Sequence, residues 1–156
     1  MTQTAAALAT DSRAAIVEAL NQSVAETAVT TMLAQNFHWN VTGMAFGPLH
    51  ALFQEIYEDH FQGQDDLAER VKALDGHAEG TLAGMIQRSK VTEHDGHASD
   101  QEMIAKMKEA QETLAATLAQ TGALAADHGD TLTEDLAIAR GQTHEKFAWM
   151  LRAHLT

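Results

Sequence analysis

The chain has 156 residues, no cysteine, and a net charge of −12 from ten basic and 22 acidic side chains. This length fits one domain, the absence of cysteine excludes disulfide bonds and thiolate metal sites, and the acidic charge disfavours nucleic-acid binding, which relies on basic patches. The sequence has no apolar run of about 18 residues and no signal-peptide pattern, so we expect a cytoplasmic protein that does not bind membranes.

Helical spacing of apolar residues predicts two long helices in the first half of the chain, capping patterns predict two more in the second half, and a short helix can lie between them. Asp11 or Ser12 can cap the first helix, and Pro48, which follows a glycine, is typical of a first helical position. A flexible segment, residues 1–10, is expected to precede a single domain, residues 11–156. The helices are predicted over residues 11–40, 48–74, 79–89, 99–126 and 131–154.

Two capping boxes mark the second half of the chain. Ser99 with Glu102, and then Thr131 with Glu134, have the spacing at which a hydroxyl and a carboxylate cap a helix start reciprocally. Four long helices with one longer connection predict an all-α fold. We expect a four-helix bundle of the ferritin-like type, with the short helix in the crossover connection between helices 2 and 3.

The second helix carries the side chains best suited to hold a metal. His50, Gln54, Asp65 and Glu69 fall within an arc of about 100° on one side of this helix. His50 and Gln54 are one turn apart and could converge on one ion, and so could Asp65 and Glu69. The two pairs are 15 residues apart, however, or about 22 Å along the helix axis. One chain therefore cannot bring both pairs to the same metal.

Two copies of this helix, packed antiparallel about a two-fold axis, would complete the site. If they cross near residues 59–60, the His50 end of one chain meets Asp65 and Glu69 of the other, and the symmetric interface forms two sites. His38, at the end of the first helix, could add a second nitrogen. Imidazole combined with carboxylate suits Fe(II), Mn(II) or Zn(II) better than Ca(II) or Mg(II).

Spacing alone also permits a plainer interpretation. Carboxylates one turn apart usually line a solvated helix face, and Arg70 could form surface pairs with Asp66 or Glu69. A histidine between aromatic residues, such as His38, is more often a hydrogen-bonded core or rim residue than a metal ligand. His60 would lie near the two-fold axis, where it could pair with its own copy, pair with its neighbour Asp59, or bind a second metal.

Three short motifs lie before and within this helix: HWNVTG at 38–43, LHALFQEIY at 49–57 and DDLAER at 65–70, with Phe46 between the first two. Together they closely resemble the signature of the Dps family, the dodecameric mini-ferritins that protect DNA during starvation. The last helix also looks like the C-terminal helix of that family, through Asp130, Thr131, Asp135, His144, Lys146 and residues 149–151.

The resemblance implies a hollow homo-dodecamer with ferroxidase sites shared between subunits at two-fold interfaces. By this resemblance, iron is cofactor and substrate: His38, His50, Asp65 and Glu69 bind Fe(II), which is oxidised preferably by hydrogen peroxide and stored as ferric mineral. Core packing is the plainer interpretation of Trp39 and Trp149; by the resemblance, Trp39 could instead lie beside the site and trap an oxidising equivalent. Removal of iron and peroxide would protect the cell against oxidative stress.

Position 54 departs from the family pattern, which usually has an acid four residues after the second histidine. Gln54 is neutral and a weaker ligand for a hard cation, so we expect weak participation and weaker iron binding or a slower reaction. The alternative function is a non-enzymatic metal-binding or DNA-compacting shell whose ferroxidase activity is impaired by Gln54. Direct DNA binding is not expected, because the chain has no Lys/Arg-rich tail and its charge would repel a duplex.

The acidic residues over 127–135 have two compatible interpretations. They can cap the last helix and compensate its dipole. By the resemblance, this region lines three-fold pores through which iron enters, where carboxylates from three subunits attract cations. Asp130 and Asp135 are the predicted pore residues.

Overall fold

The computed structural model describes residues 7–156 of the chain. Within that range lie five helices: α1 (Thr10–Asn40), α2 (Phe46–Ala73), α3 (Leu82–Arg88), α4 (Asp100–Asp127) and α5 (Thr131–Ala153). The four long helices pack as a bundle, and α3 lies in the connection between α2 and α4. The predicted all-α bundle with a short helix in its crossover is confirmed. No helix among the described residues is long and apolar enough to cross a membrane.

The start of α1 differs from the prediction. Ala9 is the N-cap and makes no side-chain capping bond, so neither Asp11 nor Ser12 caps this helix. Ser12 Oγ is instead hydrogen-bonded to His128 Nδ1 at 3.0 Å. Leu8 is only 4% exposed and packs in the apolar core, so the flexible segment that we predicted cannot include it. The first six residues lie outside the described part of the chain.

The capping prediction is right for α4 and wrong for α5. Ser99 Oγ accepts from the Glu102 amide at 3.2 Å, and the Glu102 carboxylate accepts from the Ser99 amide at 2.8 Å, which completes the box. The cap of α5 is Asp130, whose Oδ1 accepts from the Thr133 amide at 3.1 Å. Thr131 is already helical, because the aspartate before it satisfies the free amide of the first turn.

α2 is uninterrupted over its 28 residues, which keeps the spacing of its two ends constant. It begins at Phe46, two residues before the predicted start at Pro48. Pro48 lies in the first turn, where the missing N–H removes no intrahelical hydrogen bond.

The bundle core consists of two apolar clusters with a polar layer between them. Phe37 and Phe53 belong to one cluster, and Leu20 and Leu67 belong to the other. Buried polar groups are stable only when they are hydrogen-bonded, so this layer restricts how the helices pack. Each long helix contributes to it, through Glu26, His60, Gln111, Arg140 and His144.

Candidate metal centre

His38 and His50 form a stacked pair where the end of α1 meets the start of α2. Their ring centroids are 3.7 Å apart and their planes differ by 14°. His38 Nδ1 donates to the His50 carbonyl oxygen at 2.7 Å, and His50 Nδ1 donates to the His38 carbonyl oxygen at 2.7 Å. A carbonyl oxygen can only accept, so the Nδ1 atom of each ring carries a proton.

These reciprocal bonds determine the role of the other ring nitrogen. In a neutral imidazole with a proton on Nδ1, the Nε2 atom keeps a lone pair. Neither Nε2 atom has a hydrogen-bond partner among residues 7–156. A backbone carbonyl that accepts from one ring nitrogen is a common way to orient a metal-binding histidine. The pair can therefore offer two oriented nitrogen ligands.

Two aromatic rings border the histidine pair. Phe46 stacks on His50 with centroids 5.1 Å apart, and Tyr57 meets His38 edge-on at 5.3 Å. His38 is buried, whereas His50 is partly exposed. The bordering rings restrict movement of the imidazoles and leave the His50 side open to solvent.

The carboxylates Asp65 and Glu69 lie on the exposed side of α2, one turn apart. Neither has a hydrogen-bond or ion-pair partner within residues 7–156. Arg70, the nearby cation, instead donates from Nη2 to Asp130 Oδ1 at 2.9 Å. The suggested surface pairing of Arg70 with Asp66 or Glu69 is therefore wrong, whereas a solvated carboxylate face is consistent with the exposure of Asp65 and Glu69.

The histidine pair and the carboxylate pair remain far apart within one chain. Because α2 is continuous, His50 and Asp65 are separated by about 22 Å along its axis. Across residues 7–156, no three His, Asp or Glu side chains gather where a metal ion could be held. Each chain thus presents two separate groups of candidate ligands, one with nitrogen atoms and one with oxygen atoms.

Gln54 lies one turn after His50 on the exposed side of α2. Its Nε2 donates to Glu58 Oε1 at 2.8 Å. A carboxylate only accepts, so the amide nitrogen must face Glu58 and the amide oxygen is the atom left free. The neutral side chain at position 54 is therefore accompanied by a negative charge one turn further along.

The two predicted pore residues differ in their surroundings. Asp130 is fully buried, and its carboxylate accepts from Arg70, from the Thr133 amide and from the Thr133 hydroxyl. These bonds use both of its oxygens, so the pore prediction is corrected for Asp130, which caps α5 and pairs with Arg70. Asp135 is exposed and remains a predicted pore residue.

Trp39 follows His38 in the last turn of α1 and is 63% exposed. It lines a surface groove between α1 and α3, together with Met32, Leu82 and Ile86. An exposed indole next to a candidate ligand is accessible to an oxidant, but its redox role remains a prediction.

His60 is fully buried within the bundle, so the alternatives in which it pairs with its own copy or binds a second metal at the two-fold axis are wrong. The predicted bond to Asp59 is confirmed, with His60 Nδ1 donating to Asp59 Oδ2 at 2.9 Å. The orientation follows from helix geometry, because a residue one position from Asp59 lies about 100° further round α2.

His60 belongs to a closed set of hydrogen bonds, which we call the inner ring: Asp59, His60, Gln111, His144 and Arg140. Gln111 Nε2 donates to His60 Nε2 at 2.9 Å, and His144 Nδ1 donates to Gln111 Oε1 at 2.7 Å. Arg140 Nη2 lies 3.5 Å from His144 Nε2 and donates to Asp59 Oδ2 at 2.9 Å. Polar residues from α2, α4 and α5 are thereby joined in one network.

Burial and charge perturb the acid–base properties of the inner ring. Burial lowers the pKa of His60, although Asp59 partly opposes this, and burial lowers the pKa of His144 well below its ordinary value. Burial tends to raise the pKa of Asp59, but hydrogen bonds from His60 and Arg140 outweigh this effect and lower it. The ring is consequently built from two neutral histidines and one ion pair.

Sequence reasoning did not identify Gln111, Arg140 or Gly63 as members of a common site. Gln111 and Arg140 look like ordinary polar residues of amphipathic helices. Gly63 was the one feature of the sequence that could have indicated this site. Glycine inside a helix costs about 1 kcal/mol relative to alanine and often marks a place where another group packs closely against the helix backbone. A Cβ atom at position 63 would lie 2.4 Å from Arg140 Cζ.

Comparison with known proteins assigns the chain to a family. The ferritin-like domain model matches residues 17–156. General stress protein 20U of Bacillus subtilis is 34% identical over 140 residues, which cover 90% of this chain and 97% of that protein. The DNA protection during starvation protein of Brevibacillus brevis is 35% identical over 136 residues, covering 87% of this chain and 91% of the relative.

Solved structures give the same result. Dps from Staphylococcus aureus superposes with a TM-score of 0.88 at 33% identity, covering 90% of this chain and 95% of that chain. The Dps protein from Vibrio cholerae, described as a member of a broad superfamily of ferritin-like diiron-carboxylate proteins, superposes with a TM-score of 0.93 at 29% identity, covering 100% and 98%. The chain therefore belongs to the Dps family of ferritin-like proteins.

Proposed function

We propose that this protein oxidises Fe(II) and stores the ferric product inside a homo-dodecameric shell. Family membership supports iron chemistry in general, since a related Dps structure is described as a diiron-carboxylate protein. The observation that carries the proposal for this chain is the His38–His50 pair, in which backbone carbonyls hold both Nδ1–H groups and leave both Nε2 atoms free. Iron is the substrate.

In the proposed assembly, the site is shared between two chains. Antiparallel contact of two α2 helices brings the histidine pair of one subunit to Asp65 and Glu69 of its two-fold partner, and the symmetry forms two such sites. Two imidazoles and two carboxylates make a ligand set that suits Fe(II). The carboxylates attract and partly neutralise the cation, while the histidines fix its position.

We infer that hydrogen peroxide is the preferred oxidant and that Trp39 takes up a stray oxidising equivalent beside the site. Consumption of Fe(II) together with peroxide removes both reactants that form hydroxyl radical. Asp135 would attract iron into the three-fold pores. The net charge of −12 per chain supports cation attraction and opposes direct DNA binding, so any protection of DNA would be chemical.

Mixing two inactive variants tests the shared site directly. One variant carries His38→Ala and His50→Ala, and the other carries Asp65→Asn and Glu69→Gln. Co-assembly creates mixed pairs in which one of the two sites has all its ligands, so about one quarter of wild-type activity should return on random mixing. Peroxide-driven Fe(II) oxidation is followed by ferric absorbance. No recovery in verified mixed assemblies would exclude a shared site.

A second candidate function rests on Gln54. The family's usual acid is absent there, and the amide nitrogen is bonded to Glu58. In this alternative the shell binds metal or compacts DNA without oxidising iron. Wild-type protein incubated with Fe(II) and peroxide distinguishes the two, because a ferroxidase yields a brown soluble product that migrates with the shell, whereas a passive shell does not. A gel shift without added divalent cation tests the DNA-compacting form.

A further inference from the structure

The hydrogen bonds of the inner ring are consistent with two neutral histidines. His60 Nδ1–H donates to Asp59, so the Nε2 atom of a neutral His60 accepts from the amide nitrogen of Gln111. Gln111 Oε1 then accepts from His144 Nδ1–H, which leaves His144 Nε2 to accept from Arg140. In this state each ring nitrogen and each amide atom has one role.

An additional proton has different consequences at the two histidines. His60 Nε2 lies 3.2 Å from Gln111 Oε1 as well as 2.9 Å from Gln111 Nε2, so a protonated His60 finds an acceptor already in place. A proton on His144 Nε2 would face the Arg140 guanidinium, which lies 3.5 Å away and has no acceptor. Protonation of His144 therefore leaves donors facing one another in a buried position, where unsatisfied polar groups are costly.

The ring holds α2 between the two groups of candidate ligands. The two carboxylate oxygens of Asp59 accept from Arg140 Nη1 at 3.2 Å and from Nη2 at 2.9 Å, so two hydrogen bonds join α2 to α5. His60 binds the same helix to Gln111 of α4. Apolar packing tolerates small rotations of a helix, whereas hydrogen bonds at these distances are directional.

Gly63 adds a steric component to this attachment. The Arg140 guanidinium lies against the backbone of α2 at Gly63, where a Cβ atom would be 2.4 to 2.6 Å from Cζ, Nη2 and Nε. The helix therefore has a notch that accepts the guanidinium in one rotational position.

Rotation of α2 matters because its ligand side chains lie on the helix surface. A surface about 5 to 6 Å from the axis moves by about 1 Å for a 10° rotation, and functional sites require positions within about 0.5 Å. A small loss of rotational control would therefore disturb the histidine pair and the carboxylate pair together.

We propose that the inner ring is a pH-sensitive positioning device for the metal centre: with His144 neutral it holds α2 in its metal-binding orientation, and protonation of His144 releases that hold. The inference rests on the proposed shared metal site. Arg140, His144 and Gln111 are positioning residues, since they act through α2 and do not touch the metal ligands.

The charged groups around the two histidines define the direction of the pH effect. Asp59 faces them from α2 and Arg140 from α5, while α4 supplies the uncharged Gln111. α1 supplies no charged group to the ring, because its buried acid Glu26 is bonded to Thr117. Folding lowers the pKa of both histidines, so their contribution to stability is present above the unfolded pKa of about 6.5 and is lost as pH falls below it.

Gly63→Ala tests the positioning role without altering a ring residue or a metal ligand. The matched control is Gly141→Ala in α5, where an added Cβ would meet nothing closer than 4.0 Å. Anaerobic Fe(II) titration near pH 7.5 should show at least tenfold weaker binding for Gly63→Ala and unchanged binding for Gly141→Ala. Equal Fe(II) affinities in the two variants would refute the positioning role.

The pH dependence is tested on the metal-free protein, because in the presence of Fe(II) protons would also compete with the metal for the candidate ligands. His144→Asn keeps a donor toward Gln111 but cannot be protonated, and His97→Asn removes an exposed histidine as the control. Below pH 6.5 the unfolding equilibrium constant of the wild type, measured in urea, should rise by up to tenfold per pH unit for each buried histidine. His144→Asn should reduce that slope and His97→Asn should not; equal slopes would overturn the proposal.

A measurement on the wild type covers the case in which His144→Asn or Gly63→Ala fails to fold. Deuterium exchange at C2 of each histidine, read by mass spectrometry, should show His60 and His144 titrating below the ordinary histidine pKa of about 6.5, and titration at that ordinary value would contradict the ring. Absence of Fe(II) binding by the wild type would refute the proposed function and the positioning role together. Fe(II) binding that Gly63→Ala leaves unchanged would refute the positioning role alone.

Discussion

The bundle contains two histidine pairs whose hydrogen bonds differ. In the outer pair, His38 and His50, the rings stack at 3.7 Å, and one nitrogen of each is bonded to a backbone carbonyl. In the inner pair, His60 and His144, the rings meet edge-on at 4.7 Å, and all four nitrogens have partners within the inner ring.

This difference shows that proximity of two histidines does not make a metal site. The outer pair combines free lone pairs with a partly exposed edge. The inner pair has no free lone pair, and the Arg140 guanidinium beside it repels cations. Which nitrogen is already hydrogen-bonded therefore decides whether a histidine can bind metal or is confined to a structural or positioning role.

The largest expected effect separates the pairs by activity. His50→Ala should lower peroxide-driven Fe(II) oxidation at least tenfold, because it removes a nitrogen ligand. Its free energy of unfolding should change by only about 1 kcal/mol, the typical value of a hydrogen bond. Ferric absorbance and urea unfolding measure the two quantities. Retained activity in the folded variant would show that the outer pair is not the site.

The inner pair should show the larger effect on stability. Gln111→Leu leaves His60 Nε2 and His144 Nδ1 buried without partners, so the free energy of unfolding should fall by about 2 to 5 kcal/mol. Gln120→Leu, an exposed change on the same helix, is the control and should lie within about 0.5 kcal/mol of the wild type. Similar urea midpoints for the two variants would remove the distinction between the pairs.

Asp130 and Asp135, at the start of α5, show a similar contrast, because one is buried and hydrogen-bonded and the other is exposed. Asp130→Ala removes a helix cap and the partner of Arg70, so it should destabilise the protein by about 1 to 3 kcal/mol. Asp135→Asn should leave thermal stability unchanged and slow the uptake of Fe(II) into the shell. Stopped-flow kinetics measure Fe(II) uptake, and thermal unfolding measures stability. Loss of uptake without loss of stability in Asp130→Ala would contradict the distinction between a structural Asp130 and a pore-lining Asp135.

The smallest expected effect concerns position 54, one turn after His50 on the exposed side of α2. Gln54→Glu restores the family's acid next to His50 and should strengthen Fe(II) binding a few-fold, a difference of about 1 kcal/mol. Gln101→Glu adds the same charge at a distant exposed position and controls for the general field of the protein. Calorimetric titration with Fe(II) under anaerobic conditions measures both. Equal affinities would mean that Glu58 already supplies the needed charge.

Local patterns were sufficient for the helices and for part of the candidate site. Apolar spacing predicted the first two long helices, and capping-box patterns predicted the last two. The spacing of His50 from Asp65 on one helix led to the prediction that a shared metal centre would need two chains. The capping box at Ser99 was also readable, because all its members lie within four residues. By contrast, Asp130 displaced the expected cap at Thr131, since two good caps competed at adjacent positions.

Only the tertiary structure decided which polar groups are free. The proton positions on His38 and His50 depend on the loop between α1 and α2, which brings each ring to the carbonyl oxygen of the other residue. Arg70 binds Asp130, 60 residues away, and therefore does not pair with the nearby carboxylates of α2. The inner ring joins Asp59 to Arg140 across 81 residues and His60 to Gln111 across 51. The sequence by itself determined the helices and the types of ligand, because these follow from local patterns of residues. The partner of each polar atom depends on packing between distant segments, and it was decided only when the chain folded.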